Sequence, residues 1–235
     1  MEFSVIIPVF NEAGSVPGLQ ERLDKAMGRL SAQYEIIYVD DGSNDLSLSA
    51  LKDIEKRYQR VKTVSLPEHK GQSAALYAGF KASQGKWIIT LDADGQNPPE
   101  EIMRLLEVYP RFDFITGVRH SRQDSFFRKG SAQTARFFRR IVLGDTTRDT
   151  GCSLRLFRRE VMDSFPFFKN FHRFFPFLAK TTGFSIKEID VSHEQRRLGR
   201  SKYKTTNRLQ EGILDLGRVF WLKKRLKESE KQRFK

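Results

Sequence analysis

The sequence predicts an α/β fold, a Rossmann-like and mostly parallel sheet flanked by helices, with amphipathic helices toward the C-terminus. Three observations predict it. Apolar, β-branched runs alternate with stretches of helical period through the first hundred residues, and each run ends in a polar turn rich in Asp or Gly. The length, 235 residues, suffices for one large domain or two intimately packed halves.

Phe3–Val9 (F-S-V-I-I-P-V) reads as the first strand, and Phe10-Asn11-Glu12 as the loop that leaves it. Val16–Leu30 reads as a helix because Leu19, Leu23, Ala26 and Leu30 recur at helical spacing. Tyr34–Val39 is the second strand, ending in Asp40-Asp41-Gly42-Ser43, and Ser47–Arg60 is a helix with Leu48, Leu51, Ile54 and Tyr58 on one face. Val61–Leu66 is the third strand; His69-Lys70-Gly71-Gln72-Ser73 opens a helix over Ala74–Ser83 that leads to the Trp87–Leu91 strand. Phe112–Gly117 is a further strand, followed by Arg119. Ser125–Leu143 is expected as an amphipathic helix with Phe137, Phe138, Ile141 and Val142 on one arc and Arg136, Arg139 and Arg140 on the other. Asp149–Arg155 precedes a strand or helix carrying Leu156 and Phe157. Phe165–Leu178 has two prolines and no clean period, and reads equally as a core cluster or as a surface that dips into a membrane. Ile186–Glu194 is a strand, Gln195–Tyr203 a basic loop, Thr205–Leu226 a helix with Leu209, Ile213, Leu216 and Phe220 on one stripe, and Lys227–Lys235 a solvated tail.

The stretch Trp87–Glu101 (W-I-I-T-L-D-A-D-G-Q-N-P-P-E-E) concentrates the chemistry. A buried strand delivers Asp92 and Asp94 to the sheet edge, where ligands of α/β sheets bind. Two carboxylates that close repel, and a hard divalent cation with oxygen ligands neutralises them most simply. Gly95 permits a turn with positive φ, and Gln96 adds an oxygen. Neither G-x-x-x-x-G-K-[ST] nor G-x-G-x-x-G occurs, so a metal on the acidic pair is the expected means of holding phosphates.

Composition narrows the class. The single Cys152 leaves neither an internal disulfide nor a cysteine zinc site, which suits the cytosol. Met1–Phe10 has no secretory character, and no apolar run reaches the roughly 18–20 residues of a membrane span, so the chain is not expected to cross a bilayer. The net charge of +13 divides unevenly: residues 1–120 hold 14 Lys+Arg against 17 Asp+Glu, and residues 121–235 hold 28 against 12. The second half also carries 15 of the 20 phenylalanines, a mixture that suits an anionic lipid surface or a nucleic acid. No recognised RNA-binding motif accompanies the aromatics, and a nucleic-acid module would leave the acidic turns of the first half unexplained.

P-V-F-N-E (Pro8–Glu12), V-D-D-G-S-N-D (Val39–Asp45), H-K-G-Q-S-A-A (His69–Ala75), D-A-D-G-Q (Asp92–Gln96) and R-R-L-G-R-S-K-Y (Arg196–Tyr203), in this order, resemble the inverting family 2 glycosyltransferases of GT-A fold. Within that family the chain is most similar to the dolichol- and polyprenyl-phosphate sugar transferases. The resemblance implies a nucleotide-sugar-binding half over 1–120, an acceptor- and membrane-facing half over 121–226, and a charged tail over 227–235.

It also implies roles. Pro8, Phe10, Glu12 and Asp41 would line the nucleoside pocket, with Asp41 reading the base edge or ribose, and Lys70 and Gly71 would close it. Asp92 and Ala93 would lie against the sugar or ribose, while Asp94 and Gln96, with Asp92, would hold Mg²⁺ or Mn²⁺. Arg196 and Lys202 would cover the diphosphate. Arg119 would meet the acceptor phosphate, Arg128 and Ser131 would form a second phosphate clamp, and Asp149 would act as base or acceptor-positioning group. The expected partners are a nucleotide sugar, a polyprenyl phosphate and an anionic membrane surface, with the protein peripherally attached to the cytoplasmic face. Base, sugar and oligomeric state stay open, and the alternative acceptor is a glycan or lipid hydroxyl, which would need a true base.

Overall fold

Alternation within each apolar run decides which face of the sheet a side chain meets. In β1 (Phe3–Val9), Phe3, Val5, Ile7 and Val9 enter one apolar cluster and Ile6 enters another; in β2 (Tyr34–Asp40), Tyr34, Ile36 and Tyr38 oppose Ile37 and Val39 in the same way. A computed structural model of the chain describes residues 1–119, 137–195 and 206–233. Its sheet has the strand order β3-β2-β1-β4-β6-β5-β7, with β3 Val61–Ser65, β4 Trp87–Thr90, β5 Phe114–Arg119, β6 Arg155–Arg158 and β7 Ile186–Val191. Every pairing is parallel except those of β6, which runs antiparallel to both β4 and β5.

Helices cover both faces. α1 (Val16–Met27), α2 (Ser47–Arg57) and α4 (Ile102–Leu106) bury Leu19, Leu23, Leu51, Ile54 and Leu105 against the first cluster. α3 (Gln72–Ala82), α6 (Arg159–Asp163), α7 (Phe175–Thr181) and α8 (Thr206–Arg233) bury Leu76, Phe80, Val161, Leu178 and Val219 against the second. α3 lies flush on the sheet because Gly79 has no side chain: a Cβ there would stand 2.4 Å from Ile6 Cγ2.

The two readings of Phe165–Leu178 resolve to core. Phe165, Phe171, Phe174, Phe175 and Phe177 are buried, the rings of Phe165 and Phe171 meeting Phe175 edge to face, while Phe167 stays exposed. The described part of α5, residues 137–143, differs from expectation in the opposite sense. Phe137, Phe138 and Ile141 are 60%, 51% and 65% exposed, and Arg139 turns inward to Thr150 Oγ1 and Asp145. Its inner side meets polar groups, so the apolar arc faces outward and Leu143 alone on this turn is buried. In α8, Val219 and Asp215 rather than Phe220 take the inward positions, and the helix runs on into the expected tail.

The end of the sheet remote from the strand carboxyl termini carries one buried acid. Glu35 accepts Ser4 Oγ at 2.8 Å, the Gln84 N–H at 2.7 Å and Lys62 Nζ at 3.0 Å. Burial opposes its charge, but these donors outweigh burial and hold its carboxyl below the ordinary range. A folded value below the unfolded one stabilises at high pH and loses that contribution as the pH falls. Glu35→Ala is expected to cost about 2–3 kcal/mol in denaturant unfolding at pH 7, with the gap to wild type narrowing as the pH drops below 4.5.

Candidate active site

β1 and β4 are neighbours from which the chain runs on in opposite directions along the strand order, from β1 to β2 and from β4 to β5, and this reversal opens a crevice at their carboxyl ends. Four polar turns converge there, after β1, β2, β3 and β4. The first two are laced together. Asn11, in the left-handed region at φ 55°, donates its N–H to Ser43 Oγ at 2.9 Å and accepts the Asn44 N–H on Oδ1 at 2.9 Å. Glu12 donates its N–H to Ser47 Oγ and accepts Ser15 Oγ, so it fastens the turn to α1 and lies almost buried. Pro8 sits one residue before the end of β1.

Asp41 is 2% exposed and accepts the N–H groups of Lys70 and Gly71 at 2.8 Å each, with His69 Nδ1 at 2.8 Å. Its carboxylate therefore holds the turn between β3 and α3, the place where sequence reasoning set a base reader. Gly42 makes this approach possible at φ 65°: a Cβ there would lie 2.5 Å from the Glu68 carbonyl carbon. Phe10 stacks on the His69 ring with centroids 3.8 Å apart.

After β4, Asp92 accepts Gln72 Nε2 at 2.7 Å, Ala93 is buried, and Asp94 accepts the Gln96 N–H at 3.1 Å in a tight turn. Burial and the charge of Asp94 push the Asp92 carboxyl up to about 6, although Ser153, Arg119 and Arg155 draw it down. Gln96 gives its backbone carbonyl to the Glu194 N–H, and its side-chain nitrogen stands 3.5 Å from His193 Nε2. A divalent cation fits this donor set, since it would relieve the Asp92–Asp94 repulsion and finds oxygen and imidazole donors at one edge. Among the described residues no three His, Cys, Asp or Glu side chains gather closely enough to enclose an ion.

Arg119, the last residue of β5, forms a bidentate pair with Asp149: Nε to Oδ2 at 2.7 Å and Nη2 to Oδ1 at 2.9 Å. The backbone N–H groups of Arg119 and Gly151 also donate to Asp149. A Cβ at residue 151 would stand 2.7 Å from Arg119 Nη2, so a larger residue there would displace the guanidinium. Arg155, 3% exposed, donates to the Thr150 carbonyl at 3.0 Å and lies over the Phe175 ring. Burial pushes the Cys152 thiol up to about 11, as expected of an inert packed cysteine. His172 bonds Ser73 Oγ at 2.7 Å, and burial with the nearby arginines depresses it to about 3, so it is neutral.

Asp41, Lys70, Gly71, Asp92, Asp94, Gln96, Arg119 and Asp149 thus share one edge, while Arg128, Ser131, Arg196 and Lys202 lie outside the described residues. Sequence reasoning missed His69, Gln72, Arg155 and His193. Arg155 had a signal, a lone charge inside the apolar run L-R-L-F; Gln72 and His69 sat within a quoted motif with nothing to separate them from turn residues.

Asp92 sits above its ordinary value of 3.8, so the metal-free protein loses stability as the pH rises from there through about 6. Asp92→Asn is expected to raise the melting temperature of the chelator-treated protein at pH 7, a gain on the order of 1 kcal/mol. Wild type should recover stability when Mn²⁺ is added, and the variant should not. Thermal melts with and without metal check both.

Residues 4–165 match the profile of Glycosyl transferase family 2. Over 202 residues the chain is 43% identical to undecaprenyl-phosphate 4-deoxy-4-formamido-L-arabinose transferase of Klebsiella pneumoniae (strain 342), an alignment covering 85% of this chain and 62% of that protein. The chain therefore spans about three-fifths of the length of this curated relative. Among solved structures, glucosyl-3-phosphoglycerate synthase from Mycobacterium tuberculosis in complex with Mn²⁺, UDP and phosphoglyceric acid superposes with a TM-score of 0.67 at 16% identity, covering 89% of this chain and 73% of that one. A mannosyltransferase from Pyrobaculum calidifontis in complex with GDP-Man and Mn²⁺ gives 0.59 at 17% identity, covering 85% and 58%. The sheet with its one antiparallel strand, the polar turns at its carboxyl edge and the profile match agree: the chain belongs to glycosyl transferase family 2, with the GT-A fold.

Proposed function

We propose that the chain catalyses inverting, metal-dependent transfer of a sugar from a nucleotide-sugar donor to a polyprenyl phosphate. The observation that carries this reading is the pairing, at one sheet edge, of a mutually repelling carboxylate pair with a half-buried arginine fixed by its own carboxylate. One feature suits a cation-bridged diphosphate, the other an incoming phosphate. The relative at 43% identity is named for transfer to undecaprenyl phosphate, which supports the acceptor class.

Asp92 and Asp94, with Gln96, would hold Mg²⁺ or Mn²⁺. When bound, the ion supplies Lewis-acid stabilisation of the charge that develops on the leaving diphosphate. Phe10 and the His69–Gly71 turn would flank the nucleoside, and Arg196 and Lys202 would add positive charge over the diphosphate. Arg119 spends Nε and one Nη2 hydrogen on Asp149 and keeps its remaining N–H groups for acceptor phosphate oxygens, with Arg128 and Ser131 as a second clamp. A phosphate acceptor is already an anion at neutral pH, so no strong base is needed. Asp149 then orients Arg119. Its oxygens already accept four N–H donors, which favours this role over the proton acceptor a hydroxyl substrate would require.

We also propose peripheral attachment to an anionic, cytoplasm-facing membrane surface. Phe137, Phe138, Ile141, Leu214, Phe220 and Trp221 are exposed on α5 and α8, accompanied by exposed Arg140, Arg218, Lys224 and Arg225. Lys223 Nζ donates to the Leu143 carbonyl at 2.6 Å and ties the two helices into one surface. Each cation near anionic lipid contributes on the order of 1 kcal/mol. No helix among the described residues is long and apolar enough to cross a membrane.

Transfer from a panel of radiolabelled nucleotide sugars to a short-chain polyprenyl phosphate tests the reaction. Product is expected only with Mg²⁺ or Mn²⁺ and is expected to vanish in Asp94→Ala. Arg119→Lys should lower kcat/KM for the acceptor about 100-fold, with donor affinity kept. Asp149→Asn should retain measurable turnover; its complete loss with donor binding intact would favour the hydroxyl acceptor instead.

Cosedimentation with anionic vesicles tests attachment. Binding at low salt should fall with added salt and fall further in Phe137→Ser with Trp221→Ser. Equal recovery on neutral and anionic vesicles would remove the electrostatic part of the proposal.

A further inference from the structure

His69 is a ring held in place on two sides. Its face stacks on Phe10 at a centroid distance of 3.8 Å and an interplanar angle of 20°, and its Nδ1 stands 2.8 Å from Asp41 Oδ2. Asp41 is 3% exposed at its side chain, whereas the His69 side chain is 44% exposed at the mouth of the crevice. A carboxylate accepts, so Nδ1 carries a proton, and in the neutral imidazole Nε2, across the ring, holds a lone pair directed away from Asp41. The result is a rigid aromatic plate with one hydrogen-bond acceptor of fixed direction.

We propose that His69 selects the base of the nucleotide donor, with Nε2 accepting the ring N–H of a lactam-type base. Uracil offers such a donor at N3 and guanine at N1; the corresponding ring nitrogens of cytosine and adenine are acceptors and would face Nε2 lone pair to lone pair. This inference rests on the nucleotide-sugar reading above and deepens it. It also moves base recognition from Asp41 to its neighbour. Asp41 accepts three N–H groups and lies beneath the turn, so most of its acceptor capacity goes to keeping His69, Lys70 and Gly71 in place. A buried polar group left unpaired rejects a ligand more strongly than a missing apolar contact does, so a single fixed acceptor suffices to discriminate.

Calorimetric titration with UDP, GDP, CDP, ADP and inorganic pyrophosphate, each with Mn²⁺, tests it on wild type and on His69→Phe, which keeps an aromatic plate and removes the acceptor. Wild type should prefer UDP or GDP over CDP and ADP about tenfold or more, and the two lactam nucleotides are told apart by the same titrations. His69→Phe should lose that preference with pyrophosphate affinity unchanged. If UDP or GDP binds wild type and His69→Phe with the same preference, the selector role is wrong and the nucleotide pocket stands. If no nucleotide binds wild type while metal does, both fail. The second readout needs no variant: the ¹⁵N resonance of His69 Nε2 should move on saturation with the preferred nucleotide and stay in place with pyrophosphate. A resonance indifferent to both overturns the proposal.

Discussion

A carboxylate at the end of a buried strand must find donors or a cation, and this constraint shapes the carboxyl edge of the sheet. Asp41 takes two backbone N–H groups and an imidazole. Asp149 takes a guanidinium and two backbone N–H groups. Asp40 leans on Ser43 and Ser65 through longer contacts. The pair Asp92 and Asp94 stands apart, for Asp92 gains Gln72 and Ser153 yet remains raised by burial and by its neighbour's charge. Where protein donors fall short, positive charge from outside is most favourable, and that deficit singles out the proposed cation position within a row of similar acids.

The opposite end of the sheet shows the same chemistry put to a different use. Glu35 is as buried as Asp41, and three donors hold its carboxyl below the ordinary range, whereas Asp92 is held above it. One acid fastens β1, β2 and β3 together through Ser4 and Lys62; the other keeps a repulsion that the proposed cation would relieve. The two ends of this mostly parallel sheet thus carry acids held in opposite senses, as expected where strand carboxyl ends form the candidate site.

The βα alternation was legible because it depends on local periodicity, and β1 to β4 with α1 to α3 appear within a few residues of expectation. The acids were legible too, since Asp-Asp-Gly-Ser and Asp-Ala-Asp stand at strand ends in the sequence itself. Local pattern could not reveal who partners them. Gln72 reaches Asp92 across twenty positions, Arg119 reaches Asp149 across thirty, and His69 acquires its place from Phe10 in the turn after β1. The direction of an amphipathic arc was hidden for the same reason. Periodicity sets Phe137, Phe138 and Ile141 on one side of α5, but only Asp145 and Thr150 decide that this side faces out.

That inversion links the proposed membrane surface to the proposed acceptor site. Arg139 leaves the inner face of α5 for Thr150 Oγ1, and the Thr150 carbonyl accepts Arg155, while the adjacent Asp149 grips Arg119. The apolar arc and the proposed acceptor arginine are therefore both tied to one stretch, Asp145–Arg155, which enters β6 between β4 and β5. A lipid-linked phosphate has its charge and its tail at one end of a single molecule, so an enzyme that uses it must fix a guanidinium and an apolar surface relative to each other. Anchoring α5 through a cation on Thr150 achieves this with backbone and side chains of adjacent residues. On that proposal, the antiparallel strand that interrupts an otherwise parallel sheet would carry the geometric burden of acceptor recognition.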